Sequence, residues 1–184
     1  MSITAPERVW WKPIDKEEKI WLVLALIWMM VSFFWMPLWH IFGKQNPSSE
    51  SYKVTTDQYA QLAGDFIQQY QVKDENGNPV DMNGIPVVHP PAGGDAYLIA
   101  RMWSWQPVLE LEKGQTYRLH LSSLDLQHGF SLYPLNINYM VIPGQDYVIT
   151  ITPTTSGEFS IVCNEYCGLG HHTMLGKLIV KDRG

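Results

Sequence analysis

The chain has 184 residues, of which 46% are hydrophobic, 12% aromatic and 17% charged, and its formal net charge is −5. This composition excludes a disordered or collagen-like protein, and the lack of a basic excess argues against nucleic-acid binding. The tryptophans are unevenly distributed, since six of the eight fall within the first 39 residues. We therefore expect an apolar N-terminal part joined to a domain of different character.

The first predicted element is a transmembrane helix over residues 20–42. This stretch carries no charge between Lys19 and Lys44, and as a helix it reaches about 35 Å, enough to cross a hydrocarbon core of about 30 Å. A cleaved signal peptide has a shorter apolar region that ends at a small-residue cleavage site, and no such site follows here. Basic residues concentrate before the helix, which predicts a cytoplasmic segment over residues 1–19 and an extracytoplasmic remainder. The protein is therefore predicted to cross the cell (inner) membrane once.

Residues 43–95 are predicted to link this anchor to the next domain. Their polar start, residues 44–55, indicates a tether, and residues 74–95 are rich in Gly, Pro, Asn and Asp, which is typical of a loop. Between them, apolar side chains from Tyr59 to Tyr70 recur at helical spacing and predict a short amphipathic helix, with Thr56 or Asp57 as its N-cap. His89, within the loop, is expected to be exposed.

The chain from residue 96 to residue 184 is predicted to be an all-β domain. Short runs rich in Val, Ile, Tyr and Leu are separated by turn signals, which favours an antiparallel sandwich or barrel. One run, YLIARMWSW, contains Trp103 and Trp105. Alternation puts the two side chains on the same side of this strand, so either both are core residues or both are surface residues. The runs are YLIARMWSW, VLELEKG, QTYRLHLSS, HGFSLY, NINYMVIPG, QDYVITITP, GEFSIVC and LGKLIVK.

A candidate metal-binding loop follows the strand GEFSIVC. Residues 163–174 read CNEYCGLGHHTM and contain two thiols, two imidazoles and a thioether. Alternation along the strand brings Cys163 to its inward-facing end. His128 follows a polar corner, which a Greek-key sandwich can place beside this loop. His120 and His172 are predicted not to be ligands.

The residue types in the loop favour copper. Thiolate, thioether and imidazole suit copper better than calcium or magnesium, and a structural zinc site gains nothing from Met174. A mononuclear blue-copper centre needs one cysteine, whereas this loop has two. Two cysteines that each bridge two copper ions would leave His128, His171, Met174 and one backbone carbonyl to complete the coordination. The alternative is a disulfide between Cys163 and Cys167 in an oxidising compartment.

This pattern resembles subunit II of the haem-copper cytochrome c oxidases, in which C-x-E-x-C-x3-H-x2-M and an upstream histidine form the binuclear copper A site. The matching residues are Cys163, Glu165, Cys167, His171, Met174 and the segment SLDLQHGF around His128. The resemblance implies a cupredoxin-like Greek-key β-sandwich over residues 96–184, preceded by one transmembrane helix. With a single anchor and a short linker, the chain is most similar to the compact B-type branch.

The resemblance also implies a ligand assignment. Cys163 and Cys167 bridge the two copper ions, His128 and Met174 serve one ion, and His171 with the Glu165 carbonyl serves the other. The Glu165 side chain is implied to meet a magnesium ion at the boundary with subunit I.

The implied function is that of the electron-accepting subunit of a respiratory terminal oxidase. Cytochrome c would deliver electrons to copper A, and the haems of subunit I would receive them for oxygen reduction. The haems are expected only in the partner, since one transmembrane helix cannot enclose a haem-copper centre. Trp103 and Trp105 stand where family members carry aromatic residues near the donor-docking face.

Two other functions fit the same residues. The chain could be the copper A subunit of a nitric oxide reductase, which an assay of oxygen against nitric oxide consumption by the purified complex would distinguish. It could also be a membrane-tethered copper carrier with no enzymatic partner, which gentle detergent extraction would recover as a lone chain.

Overall fold

The computed structural model describes residues 13–42 and 50–183. These residues belong to two compact units, one within residues 1–46 and one within residues 47–184. The first 12 residues of the predicted cytoplasmic segment, and residues 43–49 of the predicted linker, lie outside the described residues.

The N-terminal unit contains one helix, α1 (Lys16–Phe42), which is long and apolar enough to cross a membrane. It begins four residues before the predicted span. The extra turn is made of charged residues with good helix propensity, and the Glu18 N–H donates a hydrogen bond to the Asp15 carboxylate at 2.8 Å.

The second unit is a β-sandwich with one helix. Its elements are β1 (Glu50–Lys53), α2 (Thr56–Tyr70), β2 (Asp81–Met82), β3 (Ile85–Val88), β4 (Asp95–Arg101), β5 (Ser104–Gln106), β6 (Val108–Glu112), β7 (Tyr117–Ser123), β8 (His128–Tyr133), β9 (Ile137–Val141), β10 (Gln145–Ile151), β11 (Gly157–Cys163) and β12 (Leu175–Lys181).

Two sheets enclose the core. The five-stranded sheet has the order β1-β10-β7-β4-β5, and the seven-stranded sheet has the order β2-β3-β6-β12-β11-β8-β9. Alternate side chains from both sheets meet between them, among them Leu98, Leu121, Leu109 and Ile161, each fully buried. The predicted all-β, cupredoxin-like sandwich preceded by one helix is confirmed.

The sheets are mixed rather than purely antiparallel, which differs from the prediction. β4 pairs with β7 in parallel, and β6 pairs in parallel with both β3 and β12. The reason is that the chain leaves the five-stranded sheet after β5, forms β6 in the other sheet and then returns as β7. A crossover of this kind brings β7 back in the direction of β4.

The predicted tether and loop both contain strands. Residues 50–53 form β1, which pairs with β10 at the sheet edge, where polar side chains are tolerated. Residues 74–95 include the hairpin of β2 and β3, joined by Asn83 and Gly84, both with positive φ. An Asn-Gly pair is a strong signal for a two-residue hairpin turn, so the sequence contained this information.

Helix α2 forms as predicted but is capped one residue earlier. The Thr55 hydroxyl accepts a hydrogen bond from the Gln58 N–H, and the Gln58 side chain accepts one from the Thr55 N–H, which completes a capping box. The helix packs on β4 through Tyr59, whose hydroxyl donates to the Leu98 carbonyl at 3.1 Å, and through Phe66.

His89 was expected to be exposed, but the structure shows it half-buried. Its side chain is 38% exposed and lies 3.5 Å from the carboxylates of both Glu110 and Glu112. The pairing of β3 with β6 places this histidine next to the acidic residues of β6.

Candidate metal centre

The loop between β11 and β12 meets the start of β8 at one end of the sandwich. Cys163, the last residue of β11, pairs with Phe130 of β8, two residues after His128. The Nδ1 atom of His128 lies 3.9 Å from the Sγ atom of Cys163, and both residues are buried. The structure therefore brings together the polar corner and the C-terminal loop, as the sequence predicted.

The remaining candidate groups converge on the same two sulfur atoms. The Sγ atoms of Cys163 and Cys167 are 3.6 Å apart, and both thiols are free. From Cys167 Sγ the distance is 3.6 Å to His171 Nδ1 and 3.7 Å to Met174 Sδ, and from Cys163 Sγ it is 3.2 Å to the Glu165 carbonyl oxygen. All five predicted side-chain ligands and the predicted carbonyl thus lie in one cluster, whereas their individual roles as ligands stay predictions.

The geometry of this cluster fits bound metal. With metal–sulfur bonds of about 2.3 Å, two sulfurs on one tetrahedral ion lie about 3.8 Å apart, close to the separation of the two cysteines. Soft sulfur ligands with two imidazoles match the preferences of copper. Among the described residues, the one compact group of His, Cys, Asp or Glu with metal-ligand spacing is His128, Cys163 and Cys167.

The loop is shaped by backbone contacts that bring its ends together. The Cys163 N–H donates to the Met174 carbonyl at 3.2 Å, so the loop closes where β11 and β12 begin to pair. A short 3-10 turn, His171–Thr173, places His171 and Met174 on the cysteine side. His172, in the same turn, is exposed.

Burial and the neighbouring Cys163 thiol raise the pKa of Cys167 to about 11. Without metal this thiol therefore keeps its proton at neutral pH, and a bound cation would replace that proton.

A carboxylate beside the cluster was not identified from the sequence. The Asp125 Oδ1 atom lies 2.8 Å from His128 Nε2, three residues along the chain. Partial burial acts to raise the pKa of Asp125, but the Met102 N–H and His128 outweigh it, so the pKa is lowered. An acidic residue just before a candidate ligand histidine was the available signal, because such histidines commonly donate their second N–H to a carboxylate.

The two tryptophans lie in different environments, so the prediction that both are core or both are surface is wrong. The segment YLIARMWSW is not one strand but the hairpin β4–β5, with Met102 and Trp103 in its turn. Trp105 is 1% exposed and packs edge-on against Phe130, whereas Trp103 is 41% exposed. Direct contact of Trp105 with a donor protein is therefore not supported.

Trp103 covers the metal loop. Its indole Nε1–H donates to the Cys167 carbonyl at 3.2 Å. A Cβ atom on Gly170 would overlap the indole ring, so the close approach of ring and loop requires glycine at this position.

His120 lies outside the cluster. It sits on β7, where its Nδ1 atom is 2.7 Å from the Asp146 carboxylate and its ring stacks on Tyr97. That His120 and His172 are not ligands stays a prediction.

The chain is similar to known oxidase subunits. It is 38% identical over 87 residues to "Cytochrome c oxidase subunit 2" of Thermus thermophilus, a match that covers 47% of this chain and 64% of the relative. It is 31% identical over 129 residues to "Probable cytochrome c oxidase subunit 2" of Streptomyces coelicolor, which covers 70% of this chain and 37% of the relative. No family model matches the chain.

A solved structure agrees with these relatives. A chain in the cryo-EM structure of a heme-copper terminal oxidase dimer superposes with a TM-score of 0.56 and 26% identity, covering 90% of this chain and all of the other. This chain is a homologue of cytochrome c oxidase subunit II. The match spans less than two thirds of the length of the Thermus relative.

Proposed function

We propose that the protein is the electron-accepting subunit of a respiratory cytochrome c oxidase. In this proposal the chain would hold a binuclear copper A centre, which would supply one-electron redox chemistry between cytochrome c and the haem of subunit I, where oxygen is reduced. The observation that carries the proposal is the pair of free, buried thiols 3.6 Å apart, with two imidazoles, one thioether and one carbonyl oxygen around them.

Each predicted ligand has a place in this centre. Cys163 and Cys167 would hold both copper ions, His128 and Met174 would be the further ligands of one ion, and His171 with the Glu165 carbonyl would be those of the other. Bound copper would supply one-electron redox chemistry, and the chain supplies ligand atoms that already lie close together. Because both cysteines, His128 and Met174 are buried, solvent has little access to the redox site.

The deciding experiment measures copper content and electron paramagnetic resonance of the full chain in detergent, reconstituted under reducing conditions. We expect two copper ions per chain that share one unpaired spin in the oxidised form. Cys163→Ser and Cys167→Ser should each abolish this signal, because no further cysteine exists in the chain to replace the lost bridge. A wild-type chain that stays free of copper, or cysteine variants with the wild-type spectrum, would reject the proposal.

The Glu165 side chain is proposed to contact a magnesium ion at the boundary with subunit I. Glu165→Gln separates the two roles of this residue, because it removes the carboxylate and keeps the carbonyl oxygen. The variant complex should lose bound magnesium and retain its copper spectrum. An unchanged magnesium content would reject this part of the proposal.

Apolar side chains beside the metal loop support docking of a redox partner there. Met102, Trp103, Tyr166 and Leu169 are 47%, 41%, 77% and 87% exposed, and they belong to the loop and the adjoining turn. We call these four residues the docking patch. Exposed apolar groups clustered at a functional site are typical of a protein-binding surface.

Within the docking patch, Trp103 contacts Cys167 through the hydrogen bond from its indole N–H to the Cys167 carbonyl. Trp103→Phe should keep the ring on Gly170, lose the hydrogen bond to Cys167 and slow electron uptake from cytochrome c with the copper spectrum unchanged. Stopped-flow kinetics would measure this rate. Tyr133→Ala is the control, since Tyr133 is an exposed aromatic at the far end of β8. Equal rates in wild type and Trp103→Phe would reject a role for Trp103 in electron uptake.

The chain is proposed to be anchored in the membrane by α1, with the copper domain on the extracytoplasmic side and subunit I beside it. The length and apolar surface of α1 support the anchor. Lys16 and Lys19 at its start, together with Arg8 and Lys12 before the described residues, support a cytoplasmic N-terminus.

A further inference from the structure

One carboxylate outside the proposed ligand set touches two parts of the metal site. Asp125 lies at the corner between β7 and β8, and its side chain is 25% exposed. Its Oδ1 atom is 2.8 Å from His128 Nε2, and its Oδ2 atom accepts a hydrogen bond from the Met102 N–H at 2.7 Å. The corner and the β4–β5 turn are 23 residues apart in sequence, so this single side chain joins two loops.

The hydrogen bonds around Asp125 fix which atom of His128 carries a proton. The Met102 and Leu126 N–H groups, both 2.7 Å from the carboxylate, can only donate, so the carboxylate is an acceptor on both oxygens. His128 Nε2 then donates the next hydrogen bond and carries the ring proton. In the neutral ring this leaves a lone pair on Nδ1, the atom that faces Cys163 Sγ.

The second contact of Asp125 holds the turn that carries Trp103. Met102, whose N–H binds Asp125, is followed directly by Trp103, whose indole N–H binds the Cys167 carbonyl. The turn is thus fixed at one residue to the corner and at the next to the metal loop. Loss of the Asp125 contact would free the Met102 end of the turn and weaken the packing of the Trp103 indole against Gly170.

We propose that Asp125 is a positioning residue that orients His128 Nδ1 toward the paired cysteines and, through the Met102 N–H, holds Trp103 on the metal loop. The proposal rests on the proposed function, because it gives His128 the part of a copper ligand. The Ser123 hydroxyl lies 3.2 Å from the Oδ1 atom of the same carboxylate and gives Asp125 a further contact.

The first test uses the full chain in detergent, reduced and free of metal, with nitrogen-15 NMR of the His128 ring and of the Trp103 indole N–H. The wild type should show one tautomer, with the proton on Nε2, and a slowly exchanging indole N–H. Asp125→Ala should give a mixture of tautomers and faster indole exchange. Asp125→Asn keeps the size of the side chain but has one acceptor oxygen instead of two. It should therefore keep only one of the two wild-type properties, either the single tautomer of His128 or the slow exchange of the Trp103 indole N–H.

The second test loads copper into the same variants and measures affinity by competition with a chelator. Removal of such a supporting carboxylate costs about ten- to hundred-fold in metal affinity, which we expect for Asp125→Ala, together with an altered electron paramagnetic resonance spectrum. Glu158→Gln, which removes an exposed carboxylate paired with Lys177, should match the wild type in both tests.

The outcomes separate this proposal from the proposed function. Wild-type tautomer, indole exchange and copper affinity in both Asp125 variants would overturn the positioning role. A wild-type chain that binds no copper would overturn the proposed function, while the metal-free NMR test would still decide whether Asp125 orients His128. If Asp125→Ala does not fold, Asp125→Asn decides alone, and retention of both contacts in that variant would overturn the proposal.

Discussion

Met174 is expected to tune the reduction potential of the proposed copper site rather than to be needed for copper binding. Its side chain is buried and its sulfur lies 3.7 Å from Cys167 Sγ, yet a thioether is a weak copper ligand. We expect Met174→Leu to retain both copper ions and to raise the reduction potential, because loss of a donor destabilises the more positive oxidised form.

Protein-film voltammetry and copper analysis would measure the two quantities for Met174→Leu. Met140→Leu provides the matched control, since Met140 is 53% exposed on β9. A chain that loses copper on replacement of Met174 would show that the thioether is needed for assembly, contrary to this prediction.

Trp105 is expected to contribute to stability rather than to electron uptake. It is 1% exposed, contacts Phe130 and lies against Gly176, so truncation would leave a large cavity. Trp105→Ala should lower the free energy of unfolding by about 3–5 kcal/mol, as measured by urea titration. Trp103→Ala, at a half-exposed position, should lower this free energy clearly less. Equal losses for the two variants would contradict a buried Trp105 beside an exposed Trp103.

At the scale of single elements, the capping box of α2 gives a local stability prediction. Thr55→Ala removes the hydroxyl that accepts the Gln58 N–H and should cost about 1 kcal/mol in the free energy of unfolding. Thr56→Ala changes the same residue type one position later, inside the helix, and should cost less. Chemical denaturation would measure the free energy of unfolding of both variants. An equal loss in the two would contradict Thr55 as the N-cap.

Elements with a regular pattern of side chains were predictable from the sequence. The runs HGFSLY and GEFSIVC coincide with β8 and β11, because each alternates apolar and polar residues and is bounded by turns. The strand β1 was missed because its four residues are all exposed at a sheet edge and carry no alternation of burial. The break within YLIARMWSW was missed because the residues of the turn are as apolar as the strands around them.

The candidate site was predictable as a set of residues but not as an arrangement. The spacing of Cys163, Cys167, His171 and Met174 within twelve residues is visible in the sequence. The contact of Asp125 with Met102 joins two loops that are 23 residues apart in sequence, so it depends on how these loops pack together. Long-range packing of this kind leaves no periodic signal.

For the whole molecule, the proposed orientation can be tested by labelling. Asp182→Cys places a thiol in an exposed position after β12, and Ser2→Cys places one near the N-terminus, whereas the native cysteines are 4% and 2% exposed. A membrane-impermeant maleimide should modify the Asp182 position in intact cells and the Ser2 position only after lysis. The reverse pattern would contradict a cytoplasmic N-terminus.

The central position of β12 in its sheet has a consequence for biosynthesis. β12 lies between β6 and β11, and it follows every predicted ligand along the chain. The loop that holds the sulfur atoms is closed only when β12 has been inserted between these two neighbours. A nascent polypeptide whose β12 has not yet left the ribosome or the translocon therefore has no finished pocket, and loading of the proposed copper ions must await this strand.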